Sequence, residues 1–350
     1  MRVVVLDRRF PHHGAHSGYK QIVNRQAGIE YLPAWAPGLL PDRLGDAIVR
    51  RTGRIAYSRT SLGFELAAAR RMLSGGPRAV FHVLYGEDDY HHLAAAAPLL
   101  RRLGGRLAAT FHQPPDVFDA ALPSRIAAEI LPRLDAALVT TREQAHHLAL
   151  WMRPGRIHHV PHGVDTAFFT PGTHARHESA PFTVISVGSW QRDFILLEQV
   201  ARAFAQRDGG VRFVVVCRPD VAARLGAVPG IEAHSGVTDE RLRELYRRSD
   251  ALFLPVAQAA ANNTLLEALA CGLPVVATDL PGVREYAGHA GARLFARFDP
   301  AGAIAEIAAL AAAPAARAEL GRRARERAVA LDLHHAAARL ADVYERIHQR

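Results

Sequence analysis

Lysine is almost missing from this sequence. Lys20 is the only one in 350 residues, so arginine carries nearly all of the 43 basic side chains behind a net charge of +9. Alanine and arginine richness of this kind reflects composition as much as partners, yet surplus positive charge still favours anionic ones. Nucleic acid is excluded by three absences: no run of five basic residues, no zinc-ligand spacing, and no interleaving of aromatic with basic residues. His146–His147 lacks the i, i+4 spacing of a metal pair. Cysteine is nearly absent too. Cys217 and Cys271 make no disulfide framework, and a reducing cytoplasm fits. No apolar run approaches the roughly 20 residues of a membrane span. The apolar run in MRVVVLDRRF is too short for a signal-peptide core, and Arg2–Leu6 reads as a first strand. No Gly-x-Gly-x-x-Gly follows it, which removes the dinucleotide-binding dehydrogenases.

What is present is an ordinary globular balance, 49% hydrophobic and 22% charged, in a chain long enough for two domains. The most informative stretch is DALFLPVAQAAANNTLLEALACGLPVVATDLPGVREY, Asp250 to Tyr286. Ala251–Val256 has the length of a buried strand. Asn262 or Asn263 can cap the helix that follows, Thr264–Ala270, which Gly272 and Pro274 stop. Pro274–Thr278 is a second strand, and Pro281–Gly282 a turn. This βαβ unit places its loop at the carboxyl end of a parallel sheet, where such sheets bind ligands. Free N–H groups at the Asn263 turn suit a phosphate. Glu267, at i+4 from Asn263, faces back toward the loop and can accept the two hydroxyls of a ribose. The alternative is a crossover helix with a solvated Glu267.

LLEALACGLPVVATDLPGVREY resembles the donor-site segment of the retaining GT-B glycosyltransferases of the large family-4 type. HGVD at His162–Asp165, followed by Phe168, Phe169 and Pro171, resembles the segment at that family's domain crossover. The resemblance implies an α/β chain of the GT-B class, two Rossmann-like domains with parallel sheets facing each other across a cleft. It implies an acceptor-side domain over 1–165, a donor-binding domain over 166–332, a polar linker at Gly172–Ala180, and a terminal helix, 333–350, returning to the first domain. It also implies a nucleotide-diphosphate sugar as donor, an unidentified hydroxyl acceptor, no metal and no cofactor. Location would be cytoplasmic, with contact at the inner membrane face left open.

Carried over by position, Glu267 would hold the ribose, while Asn262, Asn263, Thr264 and Leu265 form the loop and helix start. The family's first donor-site glutamate, on the donor sugar and separated from the second by seven residues, would fall at Ala259. Gln258, Asn262 or Asn263 could replace its hydrogen bonds but not its charge. Strand Phe182–Val187 leads into Gly188–Ser189, where the family has Gly-Arg, and Arg192–Asp193 stands at its Lys-Gly. Arg192 would grip the diphosphate; a surface arginine paired with Asp193 is the alternative. On the same resemblance Arg218 would be a second phosphate contact, and Val237, next to the helix capped by Thr238, would pass the base. In the first half, Gly18 in His16–Gly18 would lie under the diphosphate. His112, exposed at a strand end by the following Pro114 and Pro115, would contact the transferred sugar. Glu87, Asp88 and Asp89 are either acceptor ligands or an acidic surface loop; Arg50, Arg51 and Arg54 read as a solvated basic face. A GT-B-fold pseudoenzyme that binds a nucleotide sugar without turnover is the rival reading.

Overall fold

The computed structural model describes residues 2–8, 14–34, 41–74, 78–172, 180–207, 210–288 and 291–349. Its contacts divide the chain into two compact units. The first holds Met1–His13, Tyr19–His162 and His334–Arg350; the second holds Gly163–Leu333 together with the short segment Gly14–Gly18. Of the linker expected at 172–180, residues 173–179 lie outside the described set.

The first unit is a six-stranded sheet of β1 (Val3–Leu6), β2 (Ile29–Leu32), β3 (Val80–Val83), β4 (Arg106–Phe111), β5 (Ala136–Val139) and β6 (Ile157–His159). The order is β2-β1-β3-β4-β5-β6, and every pairing is parallel. Central strands such as VFHV in β3 are buried throughout because helices cover both faces, which explains their unalternating sequence. Phe81, Phe111 and Phe118 are fully buried among them, each worth about 1.5–3 kcal/mol of burial. The last helix, Leu333–His348, belongs to this unit from His334 onward. Its Tyr344 hydroxyl lies 2.6 Å from His82 Nδ1, and His82 Nε2 lies 2.7 Å from Thr110 Oγ1. Burial drives the His82 pKa down to about 3, so this histidine is a neutral core group.

The second unit repeats the plan with β7 (Phe182–Val187), β8 (Val211–Val216), β9 (Ile231–His234), β10 (Ala251–Leu254), β11 (Val275–Thr278) and β12 (Ala292–Phe295), again all parallel. The order β12-β11-β10-β7-β8-β9 puts the chain reversal between β7 and β10. In an open parallel sheet, the crevice beyond the carboxyl ends at such a reversal is the ligand position. Here it is formed by the exits of β7 and β10, Gly188–Arg192 and Pro255–Asn263. Two expectations need correction. Pro281–Gly282 begins the helix Pro281–Ala287, because proline fits the first helical position, whose N–H is unpaired anyway. Arg54 is buried, its guanidinium donating to the carbonyls of Glu87 and Tyr90, so only Arg50 and Arg51 remain of the exposed basic face. No single helix among the described residues is long and apolar enough to cross a membrane.

Candidate active site

In the second unit the helix Asn263–Ala270 is capped by Asn262, whose side-chain oxygen accepts from the Leu265 amide at 3.2 Å. Everything from Thr264 to Ala270 is buried, against the helix Pro314–Ala330 among others. Small residues permit that approach: a Cβ on Gly321 would sit 2.5 Å from the Gly272 carbonyl oxygen. The helix is therefore fixed on its far side, and its amino end is left facing the β7 exit.

Glu267 is buried on this helix, not solvated. Its Oε2 accepts from the Tyr246 hydroxyl at 2.9 Å. Burial pushes its pKa up to about 7, opposed in part by hydrogen bonds from Ser17 and Tyr246. Near neutrality this carboxyl is poised between its two forms, so it can accept hydroxyls as a carboxylate or offer one proton.

Arg192 is not a surface arginine and does not pair with Asp193. Asp193 caps the next helix, accepting from Leu196 N at 2.9 Å. The guanidinium turns inward: Nε donates to Val187 O at 2.8 Å, Nη1 to Trp190 O at 3.1 Å, and Nη2 to Thr264 Oγ1 at 3.1 Å. Two backbone features force this pose. Gly188 has φ +94°, and a Cβ there would stand 2.8 Å from Arg192 Nη2. Gln191 has φ +55°, rare for a non-glycine residue, and is pinned to the β10 exit by Ala257 N donating to Gln191 O at 2.9 Å. Burial lowers the arginine pKa to about 10, which leaves it charged at neutral pH. A half-buried cation thus bridges the β7 exit and the start of the Glu267 helix.

The other donor-side residues are less convergent. Ser189 Oγ accepts from Arg218 N at 3.0 Å, but the Arg218 side chain turns outward to an exposed pair with Asp220 at 3.0 Å. Val237 packs on the core beside Gly236, whose φ is +63°. Thr238 caps the next helix, accepting from Arg241 N. Ala259 is buried, its carbonyl so close to Gly282 that a Cβ there would lie 2.4 Å away. The Gly14–Gly18 segment packs onto the same unit. Ala15 N donates to Asp239 Oδ2 at 2.8 Å, His16 Nδ1 lies 2.8 Å from Asp165 Oδ2, and the His16 ring stacks on Phe168 at 3.6 Å. Gly18 adopts φ +98°, which only glycine takes easily.

Residues 181–313 match the family model "Glycosyl transferases group 1". The match lies within the second unit, and the chain has the GT-B fold of its structural neighbours. The MMP alpha-(1→4)-mannosyltransferase of Mycolicibacterium hassiacum is 27% identical over 81% of this chain and 74% of its own length. The D-inositol 3-phosphate glycosyltransferase 2 of Catenulispora acidiphila is 30% identical over 62% of this chain. The chain spans 57% of that relative's length. Among solved structures, Anabaena HepE in complex with UDP is 15% identical, with a TM-score of 0.70 over 98% of this chain and 99% of that one.

In the first unit of this GT-B chain, His112 is half-buried and not exposed, because its ring lies between Tyr19 and Tyr85 at centroid distances of 5.1 and 5.0 Å. Its Nε2 lies 2.8 Å from the Leu84 carbonyl, so that nitrogen carries the proton and Nδ1 keeps the lone pair. Burial lowers its pKa to about 4, leaving it neutral. Glu87 is also buried and accepts from the His112 and Gln113 amides, the latter at 2.6 Å. Burial raises Glu87 to about 7. Glu87, Asp88 and Asp89 form a short helix, not a surface loop, and Asp89 pairs with Arg8. Sequence reading missed Tyr246 and the support Glu87 gives to the His112 backbone.

Proposed function

We propose that this chain transfers a sugar from a nucleotide-diphosphate sugar to a hydroxyl acceptor, with retention at the anomeric carbon. The observation that carries the reading is Arg192. A half-buried, charged guanidinium fixed to Thr264 at the amino end of the Glu267 helix is what a leaving diphosphate requires. Glu267 would take the ribose hydroxyls, and the amides of Asn263 and Thr264 a phosphate. HepE, solved with UDP, and the two relatives named as glycosyltransferases support the substrate class.

The step balances without a cofactor. The bond from C1 to the diphosphate oxygen breaks, the acceptor oxygen bonds C1 on the same face, and the acceptor proton goes to the departing phosphate. Arg192 and the helix end stabilise the charge that grows there. No metal enters this scheme, and among the described residues no group of three or more His, Cys, Asp or Glu could hold one. His112, neutral with a free Nδ1, would accept a sugar hydroxyl. The product would serve polysaccharide, glycolipid or secondary-metabolite synthesis in the cytoplasm. Exposed Arg43, Arg50 and Arg51, with exposed Leu44 and Ile55, would suit peripheral contact with an anionic membrane face.

Ala259, with no carboxylate where the resembled family has one, favours a second reading: a pseudoenzyme that binds the nucleotide sugar only. A thermal-shift panel of UDP, GDP, ADP and dTDP sugars, run on the natural protein and on Glu267→Ala, separates these. Stabilisation by one donor that disappears in the variant supports the site. Hydrolysis or transfer of that donor then supports the enzyme, and binding without either supports the pseudoenzyme. No shift with any donor would remove both.

A further inference from the structure

In the first unit, the backbone around His112 is held by two side chains that take no part in the transfer scheme. At the exit of β4, the amides of His112 and Gln113 both donate to Glu87 Oε1, the latter at 2.6 Å. The carbonyls of Phe111 and Gln113 accept from Gln144 Nε2 at 3.2 and 2.9 Å. Glu87 lies on the short helix Gly86–Asp89 after β3, and Gln144 on the helix Arg142–Leu148 after β5. Both side chains are buried. Each is itself anchored. Arg54 donates to the carbonyls of Glu87 and Tyr90, and Gln144 Oε1 accepts the Thr140 and Thr141 amides at 2.9 Å each. That pattern fixes the Gln144 carboxamide: turned over, its nitrogen would meet two N–H groups and its oxygen two carbonyls. Pro114 and Pro115 stiffen the chain immediately beyond.

The exit of a strand ordinarily leaves such backbone groups to water. Burying a carboxyl and a carboxamide to hold them costs desolvation that only full hydrogen bonding offsets. What this clamp fixes is an imidazole. With its backbone set, the His112 ring sits between Tyr19 and Tyr85, and Nε2 lies 2.8 Å from the Leu84 carbonyl. Its Nδ1 has no hydrogen-bond partner among the described residues. We propose that Glu87 and Gln144 are positioning residues for His112. They lock the turn so that the imidazole holds one tautomer, Nε2–H on Leu84, and offers the Nδ1 lone pair to a sugar hydroxyl. The inference rests on the reading of His112 as a contact of the transferred sugar. Both residues act through the histidine, where a displacement of about 1 Å can cost about 100-fold in rate. Loosening either tie frees the turn, and the ring then exchanges between tautomers and poses.

Two measurements test this, and the first needs no turnover. Nitrogen NMR of the His112 imidazole at neutral pH should show a single neutral Nε2–H tautomer in the natural protein. In Gln144→Glu and Glu87→Ala, each first checked for a cooperative thermal transition, it should show a mixture. A mixture already present in the natural protein, or the same single tautomer in both variants, overturns the proposal. The second measurement is turnover of whichever nucleotide sugar the thermal-shift panel selects. Gln144→Glu should lower kcat about tenfold with the donor KM within about twofold. Glu87→Gln keeps an acceptor oxygen for both amides and should recover most of the loss seen in Glu87→Ala. In a His112→Ala background the same substitutions should cost almost nothing further. Additive losses there would assign the clamp to the fold alone. Full activity in His112→Ala by itself would remove the sugar-contact reading, and the catalytic role of the clamp with it, even with the tautomer fixed as proposed.

Discussion

The Tyr246 hydroxyl donates to Glu267 across 2.9 Å inside the second unit, joining the helix Asp239–Arg247 to the helix Asn263–Ala270. Glu267 is thereby oriented before any ligand arrives. Tyr246→Phe leaves a buried carboxyl with one donor fewer and should cost about 1–3 kcal/mol in a denaturant titration. Donor affinity should fall in the same variant, since the carboxyl is no longer held in one rotamer. An unchanged Kd would show that the tyrosine serves the fold alone.

Stability should fall as pH rises through neutrality. Glu267 and Glu87 are both pushed up to about 7 by burial, against an ordinary carboxyl near 4.5. Between those values the folded chain binds more protons than the unfolded one, so each carboxyl opposes folding progressively from about pH 4.5 and fully above pH 7. Glu267→Gln should therefore gain stability relative to the natural protein at pH 8, by up to about 3 kcal/mol, and little at pH 4. Urea titrations at the two pH values measure the difference. Equal differences at both would mean that the group ionises normally.

Arg192→Ala should reduce kcat/KM about 100-fold or more, because the cation acts on charge that appears as the diphosphate leaves. Arg192→Lys keeps the charge but cannot span Val187, Trp190 and Thr264 together, and should recover only part of the loss. Full activity in the lysine variant would show that the three-point anchoring is unimportant.

Gly188→Ala separates position from charge. The new methyl would meet Arg192 Nη2 at 2.8 Å in a backbone region that alanine disfavours. A cost of roughly 1–3 kcal/mol is expected in stability. Turnover should drop further than that loss explains, because Arg192 must move.

Much of this was legible in the sequence for a local reason. The strands β3, β4, β7, β10 and β11 are short apolar runs between turn residues, and Asn262, Glu267 and Gly272 lie at fixed helical offsets inside one βαβ unit. Arg192 was legible by position but not by environment. Its inward pose depends on positive φ at Gly188 and Gln191, and nothing in the letters SWQRD announces a left-handed glutamine. Edge strands such as β2 and β9 are only half-buried, so their pattern is weak. Arg54 shows the same limit. An arginine in a basic stretch reads as solvated until the carbonyls of Glu87 and Tyr90 are found around it.

The covering helix of the first sheet comes from the far end of the chain. His82 and Thr110 lie in strands made early, yet the hydroxyl that completes their hydrogen bonding belongs to Tyr344. During synthesis the ribosome must deliver the whole second unit before that hydroxyl exists. Until then the growing chain carries a buried-type histidine without that hydrogen-bond partner. The order of translation thus separates β3 and β4 from the hydroxyl that completes their hydrogen bonding by the synthesis of the whole second unit.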